Sequence, residues 1–245
     1  MPLPSSGPIS LSQIASEFGV ANNLAACYGL AAGIPGSGSI SIGSFYGKAM
    51  AVGQIVLSSG TWTVPSGVSK VSMVTIGGYI TRSGEILISA ADAIGTRNDG
   101  GGNGGAAPSK GGGGAGGYTG NGGTGGSPKR WNGTSAMPDD SGSPGSGGGG
   151  RGGNGGVNVG GSIYSSPGAG EGASLLGLSP GGGMLYGGGG PGSPSDPYST
   201  GGPGSNLRFR NNVAVTAGQV LSISGPCRIV WGSNRAFPST NVGNL

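Results

Sequence analysis

The sequence predicts a mainly β protein with much irregular structure, in which a small antiparallel β-domain carries a long glycine-rich insert and short helices form the N-terminus. Three observations predict this fold class. Apolar residues alternate in two separate blocks, at 51–95 and 207–245, and residues 96–206 between them contain more than two thirds of the glycines. Residues 1–50 instead show short stretches of helical period. Gly makes up 63 of 245 residues, whereas the average content is about 7%.

Charge and cysteine content exclude several classes of protein. Twelve Lys and Arg residues against eight Asp and Glu residues give a net charge of +4, and the basic residues are scattered through loops. A nucleic-acid-binding protein would cluster them on one face, so we expect no nucleic-acid partner. Cys27 and Cys227 are too far apart in sequence for a CxxC pair or a metal knuckle. We expect two reduced thiols, as in a protein that is assembled in a cytosol.

The sequence shows no membrane or export segment. It has no run of about 18 apolar residues that could span a bilayer. The opening "MPLPSSGPIS" lacks the basic and apolar regions of a secretion signal. We expect that the chain leaves the cell, if it does, by a route other than signal-directed export.

A short amphipathic helix is predicted near the N-terminus. In "SGPISLSQIASEFG" an apolar stripe begins at Leu11 and ends at Phe18, and Gly19 terminates the helix. Ser10 is the predicted N-cap and Gln13 its capping-box partner. A weaker echo follows at 37–47, "SGSISIGSFYG".

These short turns expose apolar side chains that need a partner, because helices of this length are marginal alone. Two interpretations stay open: the stripes dock onto another chain or a larger assembly, or they pack on each other. The sequence favours docking. The candidate attachment residues are Ile9, Leu11, Ile14, Phe18, Ile40, Ile42, Phe45 and Tyr46.

The two β-blocks read as short strands with turns between them. The first block predicts strands at 54–57, 61–64 and 70–76, and "GEILISAAD" adds a further candidate. The second block predicts strands near 207–210, 213–216, 220–224 and 228–231. Since neither block has enough strands for a core of its own, we expect one antiparallel β-domain with the glycine-rich segment inserted in it.

The insert has a local period of three, as at Asn121, Thr124 and Ser127 and again at Arg151, Asn154 and Val157. Period three is that of the polyproline II conformation, which makes no hydrogen bonds within itself. A packed stack of such polyglycine II helices would satisfy the backbone groups laterally, since glycine lets main chains approach closely. The alternative is a disordered Gly-Ser linker. Prolines and large side chains between the glycine runs favour the ordered array.

No catalytic, cofactor or metal site is predicted. The chain has no histidine, which removes the commonest general base and the commonest metal ligand. "GNGGTG" at 120–125 matches a dinucleotide fingerprint, but it neither follows a predicted strand nor opens a helix. Asp139 and Asp140 lie in a Pro-Ser-Gly loop, where turn chemistry explains them better than acid–base catalysis or a Ca²⁺ site. We therefore expect a protein that is not an enzyme.

Recognition is the remaining chemistry, because aromatic rings beside amides and a guanidinium in loops suit a saccharide or protein surface. Binding residues concentrate in loops that a rigid frame holds. The candidate receptor-binding residues are Tyr118, Arg130, Trp131, Asn132, Tyr164, Tyr186 and Tyr198.

Both ends of the chain resemble glycine-rich virion proteins of tailed bacteriophages, over about 100 residues. The opening "LPSSGPISLSQIASEFG" with its echo "SISIGSFYGKA" is similar to an N-terminal module of phage structural and tail-associated proteins. The stretches "GTWTVPSGVSKVSMVTIGG", "LRFRNNVAVTAGQVLSISG" and "RIVWGSNRAFPSTNVGNL" resemble the strand pair and the closing segment of that family. One departure is "YITRSGEILISAADAIGTRND", which stands where the family runs directly into glycines. By composition alone, the middle resembles fibre-tip adhesins of T-even-like phages, in which polyglycine II helices pack in layers and loops at the far end bind receptors.

The resemblance implies a virion structural protein, a tail fibre or fibre-tip subunit that is assembled in the host cytoplasm. Its expected partners are two further copies in a homotrimer, other proteins of the tail, baseplate or fibre, and a host cell-surface glycan or outer-membrane protein. The alternative is a capsid, neck or baseplate decoration protein with a purely architectural role.

Overall fold

The computed structural model describes most of the two β-blocks and of the N-terminal module, together with separate stretches of the insert. The described residues are 3–18, 20–31, 33–48, 52–92, 95, 97–108, 110–126, 129–130, 142–143, 145, 157–159, 162–165, 169–175, 185–190, 200–232 and 235–238. For 129–130, 157–159, 162–165 and 185–186 the backbone alone is described. Within these ranges, no helix has the length and apolar character needed to cross a membrane.

The secondary structure is mainly antiparallel β with a short N-terminal helix, as the sequence predicts. The helices are α1 (Leu11–Phe18) and two 3-10 helices, Leu24–Cys27 and Ile42–Phe45. The strands are β1 (Gly53–Thr63), β2 (Lys70–Ile76), β3 (Tyr79–Arg82), β4 (Glu85–Ser89), β5 (Lys129–Arg130), β6 (Val157–Val159), β7 (Ser162–Ser165), β8 (Ala173–Ser174), β9 (Leu185–Tyr186), β10 (Leu207–Ala214) and β11 (Val220–Trp231).

Helix α1 begins with the predicted capping box. The backbone N–H of Ser10 donates to Oε1 of Gln13 at 2.7 Å, and the N–H of Gln13 donates to Oγ of Ser10 at 3.2 Å. These two bonds satisfy backbone donors that the first turn of a helix leaves without a partner. The predicted echo forms the second 3-10 helix, Ile42–Phe45.

The N-terminal module has a small apolar core of its own. Ile14, Phe18 and Phe45 are each at most 1% exposed, and the rings of Phe18 and Phe45 meet edge to face with centroids 6.1 Å apart. The two short helices therefore do pack on each other. Whether the module also docks onto another chain stays a prediction.

The two β-blocks form one sheet, as predicted. Strand β2 pairs antiparallel with β10 and with β11, so the block after the insert supplies both neighbours of a strand that precedes it. Strand β11 is the hub: β1 pairs along one of its edges, and β2 and β3 share the other. The sheet is nearly closed into a barrel, in which Nη1 of Arg210 on β10 donates to the carbonyl of Leu87 on β4 at 2.6 Å.

In three places, two predicted strands form one continuous strand in the structure: β1, β10 and β11. Strand β1 covers the predicted 54–57 and, ending at Thr63, most of the predicted 61–64, with one register irregularity between Leu57 and Ser59, opposite Gly225 and Pro226 of β11. A β-bulge tolerates a proline inside a paired strand. Strand β10 likewise merges two predictions across a shift between Arg210 and Val213. Residues 79–89 form the β3–β4 hairpin.

Alternating side chains divide the barrel into an interior and an outer face. Met73, Ile80 and Leu221 lie in the interior cluster with no exposed surface. On the outer face, Val74 and Phe209 belong to a second cluster that also contains residues of the insert, such as Ala115. The glycine-rich segment is therefore packed against the barrel wall.

Candidate functional site at the far end of a glycine lattice

The described part of the insert contains six extended segments that run side by side. We name them the lattice segments: L1 (100–107), L2 (111–117), L3 (120–126), L4 (169–174), L5 (187–190) and L6 (201–206). Backbone N–H groups of one segment donate to carbonyls of the next at 2.7–3.0 Å. These lateral bonds show that the described segments are an ordered array, as the sequence favours, and not a slack linker.

The lateral bonds recur every three residues. Between L1 and L2 the donors are Gly102 and Gly105, and between L3 and L1 they are Gly122 and Gly125. The further donor–acceptor pairs are Gly111–Gly126, Gly114–Gly123 and Gly117–Gly120 between L2 and L3, Gly113–Gly202 and Gly116–Ser205 between L2 and L6, and Gly202–Gly190 and Ser205–Gly187 between L6 and L5. This is the recurrence expected of helices with three residues per turn. The polyglycine II conformation of the single segments remains a prediction.

Segment L2 lies at the centre of the array. Three successive donors on it point to three different neighbours: Gly114 to L3, Ala115 to L4 and Gly116 to L6. Carbonyls of L2 accept in turn from L1 and from L5. Because all residues from 111 to 117 are buried, these bonds replace the water that the backbone groups lose on folding.

Close approach explains why the segments consist of glycine. A Cβ added at Gly113 would lie 1.9 Å from the carbonyl oxygen of Gly105, and one at Gly204 would lie 1.9 Å from that of Gly114. In both cases the obstacle is backbone, which cannot turn aside. Gly190, at the end of L5, has nothing within 4 Å of such a Cβ. The requirement for glycine thus belongs to the interior of the array.

The register of the bonds gives the array two distinct ends. The end where Gly102 faces Gly117 lies against the barrel, because the N–H of Leu207, the first residue of β10, also donates to Gly102. We call this the near end. The opposite end, where Gly111 faces Gly126, is the far end.

Three connections start and finish at the far end. Since consecutive segments alternate in direction, the far-end connections are 108–110 between L1 and L2, 127–168 between L3 and L4, and 191–200 between L5 and L6. Residues 118–119 and 175–186 connect segments at the near end. The long connection 127–168 contains a small sheet, in which β6 pairs with both β5 and β7. The fold thus brings both ends of the longest connection of the insert to the far end of the lattice.

The predicted receptor-binding residues divide between the two ends. Arg130 lies in β5 and Tyr164 in β7, both within a far-end connection. Trp131, Asn132 and Tyr198 also belong to far-end connections by sequence, but they lie outside the described residues. Tyr186 is at the near end, where its backbone pairs with Ala173.

Tyr118 needs a correction, because its ring is inside the protein. It is 1% exposed and stacks on Phe237 with centroids 5.9 Å apart and planes inclined by 14°. Phe209 of β10 lies on it at 6.2 Å. Its position between glycine runs predicts a loop, but the loop is the near-end connection that packs on the barrel. Tyr118 therefore joins the lattice to the barrel and does not face a receptor.

The predicted attachment residues form a partly covered group. Ile14, Phe18 and Phe45 are buried in the core of the N-terminal module, and Ile9, Leu11, Ile40 and Ile42 are partly buried against it. Tyr46 is 39% exposed, and its hydroxyl donates to the carbonyl of Gly7 at 2.6 Å. Among the described apolar residues of this module, Tyr46 and Leu24 offer the most surface to a partner.

Two buried arginines at the near end are absent from the sequence prediction. Arg208, 3% exposed, donates to the carbonyls of Asp92 and Gly102 at 3.0 and 2.7 Å, and its Nη2 donates to Oδ1 of Asn103 at 2.5 Å. Burial lowers the pKa of this guanidinium. These bonds join β10, segment L1 and the chain that follows β4. The signal was visible in "LRFR", where a charged residue alternates with apolar ones in a strand.

Arg228 makes the corresponding junction from β11. It is 1% exposed, its Nε donates to Oε1 of Gln54 at 3.0 Å, and its Nη1 donates to the carbonyl of Leu175 at 3.3 Å. Burial is the main cause that lowers its pKa, and the nearby Arg235 lowers it further, while Tyr118 acts in the opposite direction. Arg208 thus holds a lattice carbonyl against the barrel, and Arg228 holds the first carbonyl of the near-end connection 175–186.

Cofactor chemistry finds no support in the described residues. The glycines of "GNGGTG" lie in L3, where the N–H groups of Gly122 and Gly125 already donate to carbonyls of L1. They are therefore not free to cradle a phosphate. No group of three or more His, Cys, Asp or Glu residues that could hold a metal occurs in the described part of the chain. Burial raises the pKa of the Cys227 thiol to about 12, which leaves it protonated and inert at neutral pH.

No family model, curated protein or solved structure matches the chain.

Proposed function

We propose that this protein is a structural subunit of a bacteriophage virion, a tail fibre or fibre-tip protein that presents the far-end connections of its glycine lattice to the host surface. The observation that carries the proposal is the register of the lattice, which brings three connections to the end away from the barrel. A rigid frame with connecting segments at one end is an arrangement that suits recognition.

The lattice suits this role because most of its lateral bonds run between the main chains of the segments themselves. Two further bonds use amide side chains within the segments: Oδ1 of Asn121 accepts from the N–H of Asn103, and Oδ1 of Asn206 accepts from the N–H of Gly104. A changed far-end connection should therefore disturb the frame less than a changed glycine in the interior, which collides with backbone. The expected receptor is a host cell-surface glycan or an outer-membrane protein.

The N-terminal module is the proposed attachment part. Its own core makes it a unit that folds before it docks, and its ends are held together because the N–H of Leu3 donates to the carbonyl of Lys48 at 2.8 Å. The homotrimer stays part of the proposal; Val52 and Val56, 63% and 46% exposed, are apolar surface that a further copy would cover.

The recognition role is tested by adsorption of phages that carry Trp131→Ala with Tyr198→Ala. We expect adsorption to fall at least about tenfold, since each aromatic anchor contributes on the order of 1–2 kcal/mol. The matched control is Tyr186→Ala, a tyrosine at the near end, which should adsorb normally. Both variants must be incorporated into virions at the wild-type level. Normal adsorption of the double variant would favour the purely architectural role.

The attachment role needs surface variants, because Ile14 and Phe18 belong to the module's core and their removal would report unfolding. We expect Leu24→Ala with Tyr46→Ala to lower incorporation into virions while the isolated protein keeps its melting temperature. Incorporation at the wild-type level would contradict docking through this surface.

A further inference from the structure

Hydroxyl-bearing side chains cover part of the outer face of the barrel that the lattice leaves uncovered. Three strands cross it side by side, and their outward residues form two rungs: Ser59–Ser224–Tyr79 and Thr61–Ser222–Thr81. We name these six residues the hydroxyl face. Each of them is exposed or half-buried and each carries a hydroxyl group. They stand outward because Trp62, Leu221 and Ile80, their neighbours along the strands, are buried in the interior.

The hydroxyls of this face are available to a ligand. Within the described residues, none of the six is hydrogen-bonded to another protein group. Two buried hydroxyls on the same sheet are used internally: Ser72 Oγ donates to the carbonyl of Arg235 at 2.9 Å, and Thr75 Oγ1 to that of Pro226 at 3.0 Å. Neighbouring strands lie about 4.8 Å apart and alternate residues about 6.8 Å apart, so the hydroxyls form a regular grid.

The face carries no formal charge, although the chain as a whole carries +4. Arg82 of β3 and Glu85 of the adjacent β4 form an ion pair, so their charges offset each other. Charge complementarity therefore disfavours an anionic ligand and favours a neutral one. A protein partner is also disfavoured, since Ser and Thr are under-represented in the energetic centres of protein interfaces.

The geometry points to a neutral saccharide as the occupant of the hydroxyl face, a second binding site that is separate from the far end of the lattice. Tyr79, 47% exposed, supplies the ring on which the apolar side of a sugar stacks. Hydroxyls on either side donate to and accept from sugar hydroxyls, since each can do both. This site does not depend on the proposed recognition role of the far-end connections.

The test is titration of the full-length, isotope-labelled protein with maltoheptaose, cellohexaose and dextran, followed by amide chemical shifts. We expect at least one of these probes to shift amides of β1, β3 and β11, and polygalacturonate to shift none of them. Tyr79→Ala should weaken binding about tenfold, and Thr61→Val with Ser222→Ala at least about fivefold, as for two lost hydrogen bonds. Thr216→Val, at an exposed threonine away from the face, should bind like the wild type.

Three outcomes would overturn the inference. The first is that no neutral probe shifts these amides at about 10 mM. A functional site would bind its ligand at a lower concentration than this. Another is binding that survives Tyr79→Ala, or equal binding of the polyanion. The third is a lower molecular mass of the Tyr79→Ala or Thr61→Val/Ser222→Ala variant in light scattering, because the face would then be an interface between copies. Adsorption of phages with altered far-end connections tests the proposed function separately, so either idea can fail alone.

Discussion

The barrel is stabilised mainly by its side chains, and the lattice mainly by its main chains. In the barrel, side chains such as Met73 and Leu221 fill an interior that is closed to solvent. In the lattice, the main chains themselves are the packing material, and hydrogen bonds every third residue connect them. A buried protein interior therefore does not require large side chains when backbones can approach within hydrogen-bonding distance in several directions.

The two regions should therefore respond in opposite ways to alanine. In the barrel an alanine removes volume and leaves a cavity. In the lattice it adds a Cβ where backbone already stands.

The largest effect is expected in the barrel. Leu221→Ala removes a fully buried side chain from the hub strand and should lower the free energy of unfolding by about 3–4 kcal/mol. Denaturant unfolding measures this, with Val220→Ala as the neighbouring control. Val220 is 50% exposed, so its replacement should cost less than about 0.5 kcal/mol. Equal losses at both positions would mean that the strand faces are assigned wrongly.

The lattice should be almost as sensitive to one added methyl group. Gly113→Ala places a Cβ 1.9 Å from a backbone oxygen, and overpacking of this kind costs about 2–3 kcal/mol. Gly190→Ala, with open space around its Cβ, should be neutral or slightly stabilising because alanine restricts the unfolded chain. Thermal unfolding compares the two, and similar melting temperatures would contradict close main-chain packing.

The junction between the two regions should show a smaller effect. Arg208→Lys cannot reproduce the guanidinium fork that donates to Asp92, Gly102 and Asn103, and it should cost about 1–2 kcal/mol. Amide exchange should accelerate in L1 more than in the barrel strands. The control is Arg97→Lys in a half-exposed ion pair with Asp92, where less than about 0.5 kcal/mol is expected. Uniform acceleration in both regions would argue against a junction role.

The smallest effect concerns the N-terminal module. Ser10→Ala removes one half of the capping box and should destabilise α1 by about 1 kcal/mol, without an effect on barrel or lattice. Ser16→Ala, on the exposed side of the same helix, is the control and should change little. Amide exchange within α1 separates the two variants; identical exchange would show that the capping box contributes nothing.

The barrel was predictable where side chains carry the information. Strand β2 has the predicted bounds, Lys70–Ile76, because its side chains decide which face is buried. Strand β1 was predicted as two strands, since "SSG" at 58–60 has the composition of a turn. The long partner β11 continues across it, and one register irregularity absorbs the interruption.

The sequence indicates an ordered glycine-rich array but does not indicate how its segments are arranged. Its period of three is visible in the sequence, whereas the partners of each segment are not, because glycine has no side chain to mark a register. For the same reason the sequence could not tell the near end from the far end, and Tyr118 was grouped with residues of the far-end connections. The buried arginines could not be assigned either, since their acceptors are backbone carbonyls that every residue possesses.

The most direct measurement of the central claim is amide hydrogen exchange at Gly113, Gly114 and Gly116 of L2, compared with the amides of β11. Our account predicts that these glycine amides exchange as slowly as those of the hub strand, because opening them requires the lattice to separate. Exchange of Gly113–Gly116 at the rate of an unstructured peptide, while β11 stays protected, would contradict it.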